Sequence, residues 1–234
     1  MKSIALTLAG LLAATSLASA ADLPVRKSVE LAPIAPAFSW TGFYVGAQAG
    51  YMWGRDRTTE YLTSTGAYTG FAWRYNLESG FGGLHAGYNR QFGMLVAGVE
   101  IDADRLIDAK GGFRDPGGIG RARPARDFSA RGRLGVAFDR VLVYAAGGYA
   151  ATRAKYHYFN PALGFGEGFA RTFSGYTLGA GVEYALTDAL TARLEYRYAD
   201  YGKASYIARS AFLGLTGTQI PRDHSLRLAV SYKF

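Results

Sequence analysis

The amino-acid sequence predicts an all-β fold, eight antiparallel strands closed into an up-and-down barrel, and three observations carry the prediction. Apolar residues recur with period two over eight segments, as in strands whose successive side chains face opposite ways. The connections between those segments are alternately short and long, as in a barrel with turns at one end and loops at the other. Charged residues also share one face of the segments with glycines.

Taken in chain order, the first 20 residues stand apart. Met1-Lys2 is basic, Ile4 to Ala20 carries no charge, and Ala18-Ser19-Ala20 precedes Asp22. A basic start, an apolar middle and small residues before a cut describe a secretory signal peptide, cleaved near Ala20. A membrane anchor fits less well, because Ala and Ser crowd the end of the run. Removing Lys2 lowers the net charge from +8 to +7. Residues 21–39 hold Pro24, Pro33 and Pro36 without periodicity, which reads as an extended periplasmic tether outside the fold. The barrel domain is expected over 40–234.

Thr41 to Trp53 sets Phe43, Val45, Ala47, Ala49, Tyr51 and Trp53 against Gly42, Tyr44, Gly46, Gln48, Gly50 and Met52. Gly82–Arg90 and Met94–Asp104 follow, the latter with Leu95, Val99 and Ile101 opposite Gly98, Glu100, Asp102 and Asp104. Phe128–Phe138 opposes Phe128, Leu134, Val136 and Phe138 to Arg131 and Arg133. Val141–Thr152 is apolar on both faces, so its orientation stays open. Gly175–Tyr184 carries Glu183 with Gly179 and Gly181, and Leu190–Tyr198 carries Arg193, Glu195 and Arg197. Ser225–Phe234 ends the series, with Leu226, Leu228, Val230, Tyr232 and Phe234 on one face and Arg227 on the other. Short turns are expected near 89–93, 139–140 and 186–188, and long loops over 54–80, 105–126, 153–172 and 199–223.

The faces decide between water and lipid. A soluble barrel would hide its apolar face and expose its charges. Here Gly87, Gly98, Gly135, Gly179 and Gly181 accompany the charged residues. An eight-stranded barrel has room inside only for its own side chains, so glycines beside long charged residues suit a filled polar interior. The opposite face is Leu, Val, Ala and aromatic, with Tyr and Phe near strand ends as in interfacial girdles. Each segment also has the roughly 9–11 residues that a membrane-crossing strand needs. The expectation is therefore a transmembrane β-barrel. Composition agrees: with no Cys among 234 residues, disulfide scaffolds and Cys-ligated metal centres are excluded. Past the N-terminus no apolar run is long enough for a spanning helix.

Certain stretches resemble a known family. Trp40-Thr41-Gly42-Phe43-Tyr44-Val45-Gly46, Arg131-Gly132-Arg133-Leu134-Gly135, Val143-Tyr144-Ala145-Ala146-Gly147-Gly148 and Gly179-Ala180-Gly181-Val182-Glu183-Tyr184 carry the likeness, with Glu195-Tyr196-Arg197-Tyr198 and Tyr232-Lys233-Phe234. They are similar to the outer-membrane immunogenic and opacity-like porin family of alphaproteobacteria, over essentially the whole mature chain. The resemblance implies an OmpA-like eight-stranded barrel in the outer membrane of a Gram-negative bacterium, a structural surface antigen, with pore activity claimed for some relatives. Leu226, Leu228, Val230, Tyr232 and Phe234 also resemble the C-terminal signal read by the barrel assembly machinery after delivery by periplasmic chaperones.

Two sites stand out as candidates. Glu100, Asp102, Arg131, Arg133, Glu183, Arg193, Glu195, Arg197 and Arg227 would meet in the lumen, where unpaired charges are costly and paired networks are expected. Such a network is either a structural plug or a gate for small solutes. Residues 105–126 carry a net charge of +4, six basic residues against Asp108 and Asp115. Arg114, Arg121, Arg123 and Arg126 are candidates for contact with lipopolysaccharide phosphates, since arginine pairs bidentately with phosphate; a solvated loop with incidental charge is the alternative. Tyr156-His157-Tyr158 could ligate haem as part of a surface ligand site, though no cofactor is assigned. His224-Ser225 are sequential and would face opposite ways, so they form no catalytic pair. No nucleophile, metalloprotease or phosphate-loop motif occurs, so no enzyme is expected; an exported barrel meets no nucleic acid.

Overall fold

The computed structural model describes residues 38–110, 112–115, 118–162, 164–208 and 213–234. The expected signal peptide, and the tether up to residue 37, lie outside them. Eight long strands form the wall: β1 Gly42–Leu62, β2 Tyr68–Phe92, β3 Leu95–Lys110, β5 Gly118–Phe138, β6 Val141–Asn160, β7 Phe165–Ala185, β8 Leu190–Asp200 and β10 Leu215–Lys233. Each pairs antiparallel with the next, and β10 returns to β1 from Tyr44↔Lys233 to Leu62↔Leu215. The ring therefore has no free edge, and its backbone donors and acceptors are satisfied within the wall. The short strands β4 Gly112–Asp115 and β9 Ala204–Ile207 pair with β5 and β10.

The outer face follows from the alternation. Leu226, Leu228, Val230 and Tyr232 on β10 are exposed, while Ser225, Arg227, Ala229 and Ser231 between them are buried in the lumen. Leu84, Val99, Leu134, Leu178 and Leu194 on other strands are exposed in the same way. A continuous apolar band of this kind suits hydrocarbon, not water. Aromatics bound it, with Phe43, Phe138, Tyr184 and Tyr232 near the short turns and Trp53, Phe128, Tyr149, Tyr176 and Tyr196 toward the other end. At roughly 3.3 Å per residue and a tilt of about 40°, the stretch from Phe43 to Trp53 rises about 25 Å along the axis, the height of such a band.

Two features depart from the sequence expectation, and a third settles what it left open. The segments expected as long loops, 54–80, 105–126, 153–172 and 199–223, are mostly strand, and the hairpins run well past the upper aromatics. Beyond the lipid the outer face no longer has to be apolar, so the hydropathic alternation fades. The backbone still needs partners, and the ladder continues. The strand whose facing stayed open, β6, turns Leu142, Tyr144, Ala146 and Ala150 inward and Val143, Ala145 and Tyr149 outward. Its register with β5, Val136↔Val143, sets that choice. Finally, the packed unit begins at Phe38, inside the stretch expected to hang free. Phe38 and Trp40 are buried in the short-turn mouth against Val96, Ala137, Leu142 and Ala185. Trp40 donates its backbone N–H to Gln91 Oε1 (2.7 Å) and its indole N–H to the Asp139 carbonyl (3.0 Å).

Candidate functional site: the lumen and the outer basic belt

All nine charged residues expected in the lumen lie there, each at most 6% exposed. Strand period places them: they occupy the inward parity of β3, β5, β7, β8 and β10, and the antiparallel register brings acid and base to the same height, as in Glu100↔Arg131, Glu183↔Arg193 and Glu195↔Arg227. Arg131 bridges Glu100 (2.6 Å) and Glu195 (2.8 Å). Arg193 also contacts Glu100. Arg197 spans Glu195 (2.9 Å) and Asp102 (3.0 Å), and Arg133 pairs with Glu183 (2.7 Å). Arg227 pairs with Asp104, which was not among the residues expected to meet in the lumen although it shares the inward parity. Five guanidinium groups, Arg131, Arg133, Arg193, Arg197 and Arg227, thus pair with five carboxylates, Glu100, Asp102, Asp104, Glu183 and Glu195, and two more carboxylates, Asp127 and Asp223, lie beside Arg227.

Neutral groups complete the tier, and sequence reasoning missed them. The Tyr44 hydroxyl donates to Glu100 (2.9 Å) and the Tyr144 hydroxyl to Glu195 (2.6 Å). Arg133 lies over the Tyr144 ring, with its Cζ 4.0 Å from the centroid, a cation–π contact between two buried side chains. Gln48 donates to Asp104 (2.8 Å) and Thr191 to Glu183 (2.7 Å). Tyr44 and Gln48 sat on the glycine face of the first segment, a usable signal; Tyr144 lay on the strand that could not be oriented. The glycines make the room: a Cβ on Gly87 would meet Tyr44 Oη at 2.4 Å, and one on Gly181 would meet Tyr144 Oη at 2.8 Å.

Two apolar tiers flank this one. Below it, Trp40, Phe38, Leu142 and Val96 fill the short-turn mouth. Above it, Tyr156, Tyr158, Phe173 and Tyr201 are buried, with Phe169 and Tyr206 packed on them. The Tyr156 and Tyr158 rings stack at 5°, and Tyr158 and Tyr206 at 16°. Burial first, then neighbouring Asp56, pushes the Tyr156 phenol well above the ordinary tyrosine range. Burial and then Tyr158 do the same to Tyr206.

The sequence matches the family model described as outer membrane protein beta-barrel domain over residues 5–234. The chain belongs to that family. It is 31% identical to the 25 kDa outer-membrane immunogenic protein of Brucella abortus, covering 100% of this chain and 99% of the relative. It is 32% identical to a 22 kDa outer membrane protein of Rhizobium leguminosarum bv. viciae, over 87% of this chain and 82% of the relative. Among solved structures it is similar to the outer membrane protein OprG from Pseudomonas aeruginosa, with a TM-score of 0.54 at 15% identity, over 84% of this chain and 97% of that one. The protein is thus a β-barrel of the cell outer membrane. In such barrels the short turns are periplasmic and the long hairpins extracellular.

With that orientation, the basic residues expected in a loop gain a different setting. Arg121 and Arg126 are exposed on β5, a strand. A bulge between Pro124 and Arg126 shifts the parity of β5, and bulges redirect a strand's side chains in this way. Arg123 stands opposite Lys155 in the register, and Arg114 lies on β4. Arg126 is flanked in register by Arg105 on β3 and by Arg153 on β6, all exposed just above the aromatic girdle. None of the three has an acidic partner among the described residues. Sequence reasoning could not set Arg105 and Arg153 on either side of Arg126, because register is a property of the closed wall.

The haem reading loses its geometric basis. Tyr156 and Tyr158 are buried inside, whereas His157 is exposed on the outer wall, so the three cannot converge on one ligand. His224 and Ser225 likewise face opposite ways: Ser225 is buried, and His224 is hydrogen-bonded on the outside to Tyr196 (2.7 Å).

Proposed function

We propose that this protein is a closed structural barrel of the bacterial surface, which holds the surrounding lipopolysaccharide through a basic belt on its outer wall. The filling of the lumen carries the reading. An apolar periplasmic tier, an ion-paired middle tier and an aromatic extracellular tier succeed one another along the axis. A water path would have to break ion pairs whose side chains are nearly all under 5% exposed, and stranding a buried charge costs about 3–5 kcal/mol. The row Arg105–Arg126–Arg153 favours the lipid half of the reading, since like charges opposed across strands are unfavourable without an anion between them. The apolar outer face of β10, Leu226 to Phe234, fits recognition by the assembly machinery during insertion.

Planar-bilayer recording with the folded protein tests the closed lumen. The expected trace is flat, and reproducible conductance steps would replace this reading by a small-solute channel.

A further inference from the structure

A second basic cluster lies on the adjoining strands β10, β1 and β2 and is built differently. Arg55 on β1 stands directly opposite Arg222 on β10, and one rung further Arg57 stands opposite Arg74 on β2. All four are exposed on the outer wall. Opposed like charges destabilise a sheet, and here two such rungs follow one another. Arg222 gives only its Nε to Asp200 (2.7 Å). Arg55, Arg57 and Arg74 make no ion pair among the described residues. Two carboxylates border the groove: Asp200, opposite Arg222 in the register, and Glu78, at its membrane-side margin, which accepts a hydrogen bond from Tyr51 (3.0 Å). A phosphate lying between the rungs would turn both repulsions into charge-assisted hydrogen bonds.

Directly below the rungs sits an aromatic shelf. Trp53 stacks on His224, with centroids 6.2 Å apart and planes at 19°. His224 is held by Tyr196 and flanked by Tyr198 at 5.2 Å. Shelf and arginines enclose a groove of about 780 Å³, within the size range of small-molecule sites. Trp53 and Tyr196 belong to the upper girdle, so the groove stands at headgroup height, with the apolar wall of Ala49, Leu226 and Leu228 beneath it. That height, and not the charge alone, selects the occupant. Free anions could reach the arginines, but only a lipid uses the shelf and the apolar wall together.

We propose that the β10–β1–β2 groove is a stoichiometric site for one phosphorylated glycolipid of the outer leaflet. Its phosphate bridges Arg55, Arg57, Arg74 and Arg222, its sugar lies on Trp53 and His224, and its acyl chains follow the wall below. The assignment rests on reading the basic belt as a lipopolysaccharide contact, and it adds a discrete site to a diffuse one.

Native mass spectrometry of the folded protein, released from detergent with bisphosphorylated lipid A, tests it. Wild type should retain a single lipid A, and R55Q/R57Q and R74Q/R222Q should each weaken retention by at least about tenfold. R105Q/R126Q, in the diffuse belt on β3 and β5, should weaken it less than either groove pair does, and R140Q, in the short periplasmic turn, should leave it unchanged. W53A should weaken it too, and dephosphorylated lipid A should not be retained. Retained heat-modifiable gel migration shows that each variant is folded. Equal loss in all three arginine pairs overturns the discrete site and leaves the diffuse belt standing; absence of any phosphate dependence overturns both. Full competition by inorganic phosphate overturns the lipid assignment in favour of a free-anion site.

Discussion

Arg131→Met removes the guanidinium that lies between Glu100 and Glu195, at 2.6 and 2.8 Å, with its side chain 1% exposed. Methionine fills most of the volume, so the loss is electrostatic and not a cavity. Glu100 keeps Arg193, and Glu195 keeps Arg197, yet the paired set is left with five carboxylates and four guanidiniums. Removing one partner of a buried pair costs about 3–5 kcal/mol, a fall of roughly two to four orders of magnitude in the folding equilibrium. Urea titration in lipid vesicles, followed by heat-modifiable migration and intrinsic fluorescence, measures it. Adding Glu195→Gln restores four against four, so R131M/E195Q should recover part of the loss, a non-additivity expected only of coupled groups. If R131M is as stable as wild type within about 0.5 kcal/mol, the carboxylates are hydrated, and the closed-lumen argument fails with them.

Other outcomes follow from the same geometry. Gly87→Ala sets a methyl 2.4 Å from Tyr44 Oη and 2.5 Å from the Val99 carbonyl, and should cost about 1–3 kcal/mol as overpacking does. Gly132→Ala, whose Cβ meets only the Gly147 carbonyl at 4.0 Å, should be neutral in the same urea titration. Leu228→Arg, on an outward position 64% exposed, should lower stability in vesicles by about 2–4 kcal/mol if it sits near the bilayer midplane; a neutral result would place that position outside the lipid. The buried phenols of Tyr156 and Tyr206 have raised pKa values, so the unfolded chain loses those protons first. Their contribution is present below about pH 10, the unfolded value, and is lost above it as the pH approaches the folded values. Tyrosinate absorbance should therefore rise late, together with increased protease access to the extracellular hairpins. Titration of all tyrosines near pH 10 with the hairpins still protected would contradict the packed upper tier.

Legibility from sequence tracked how strongly the surroundings constrained each residue. Where lipid lies outside and a narrow lumen inside, as from Phe43 to Trp53 or Leu226 to Phe234, every second residue is forced and the period can be read directly. Beyond Trp53 both sides are polar, and Arg55 beside Asp56 looks like a loop although the ladder continues for nine more residues. Val141–Thr152 defeated the reading for the opposite reason, being apolar on both sides. Trp40 looked like the first residue after a tether, and nothing in its neighbours shows that its indole closes the periplasmic mouth on Asp139.

The sequence by itself determined the barrel class, the strand number in the lipid, which face meets hydrocarbon on seven of the eight strands and most of the charges that lie inside, because on those strands a period of two with glycines beside the charges admits one arrangement. Only the tertiary structure decided which charges meet. Register across strands pairs Arg131 with both Glu100 and Glu195, lines up Arg105, Arg126 and Arg153, and sets Arg55 against Arg222. A strand's own residues dictate the direction of each side chain, but its neighbour across the wall comes from a distant segment, and its height is set when the ring closes.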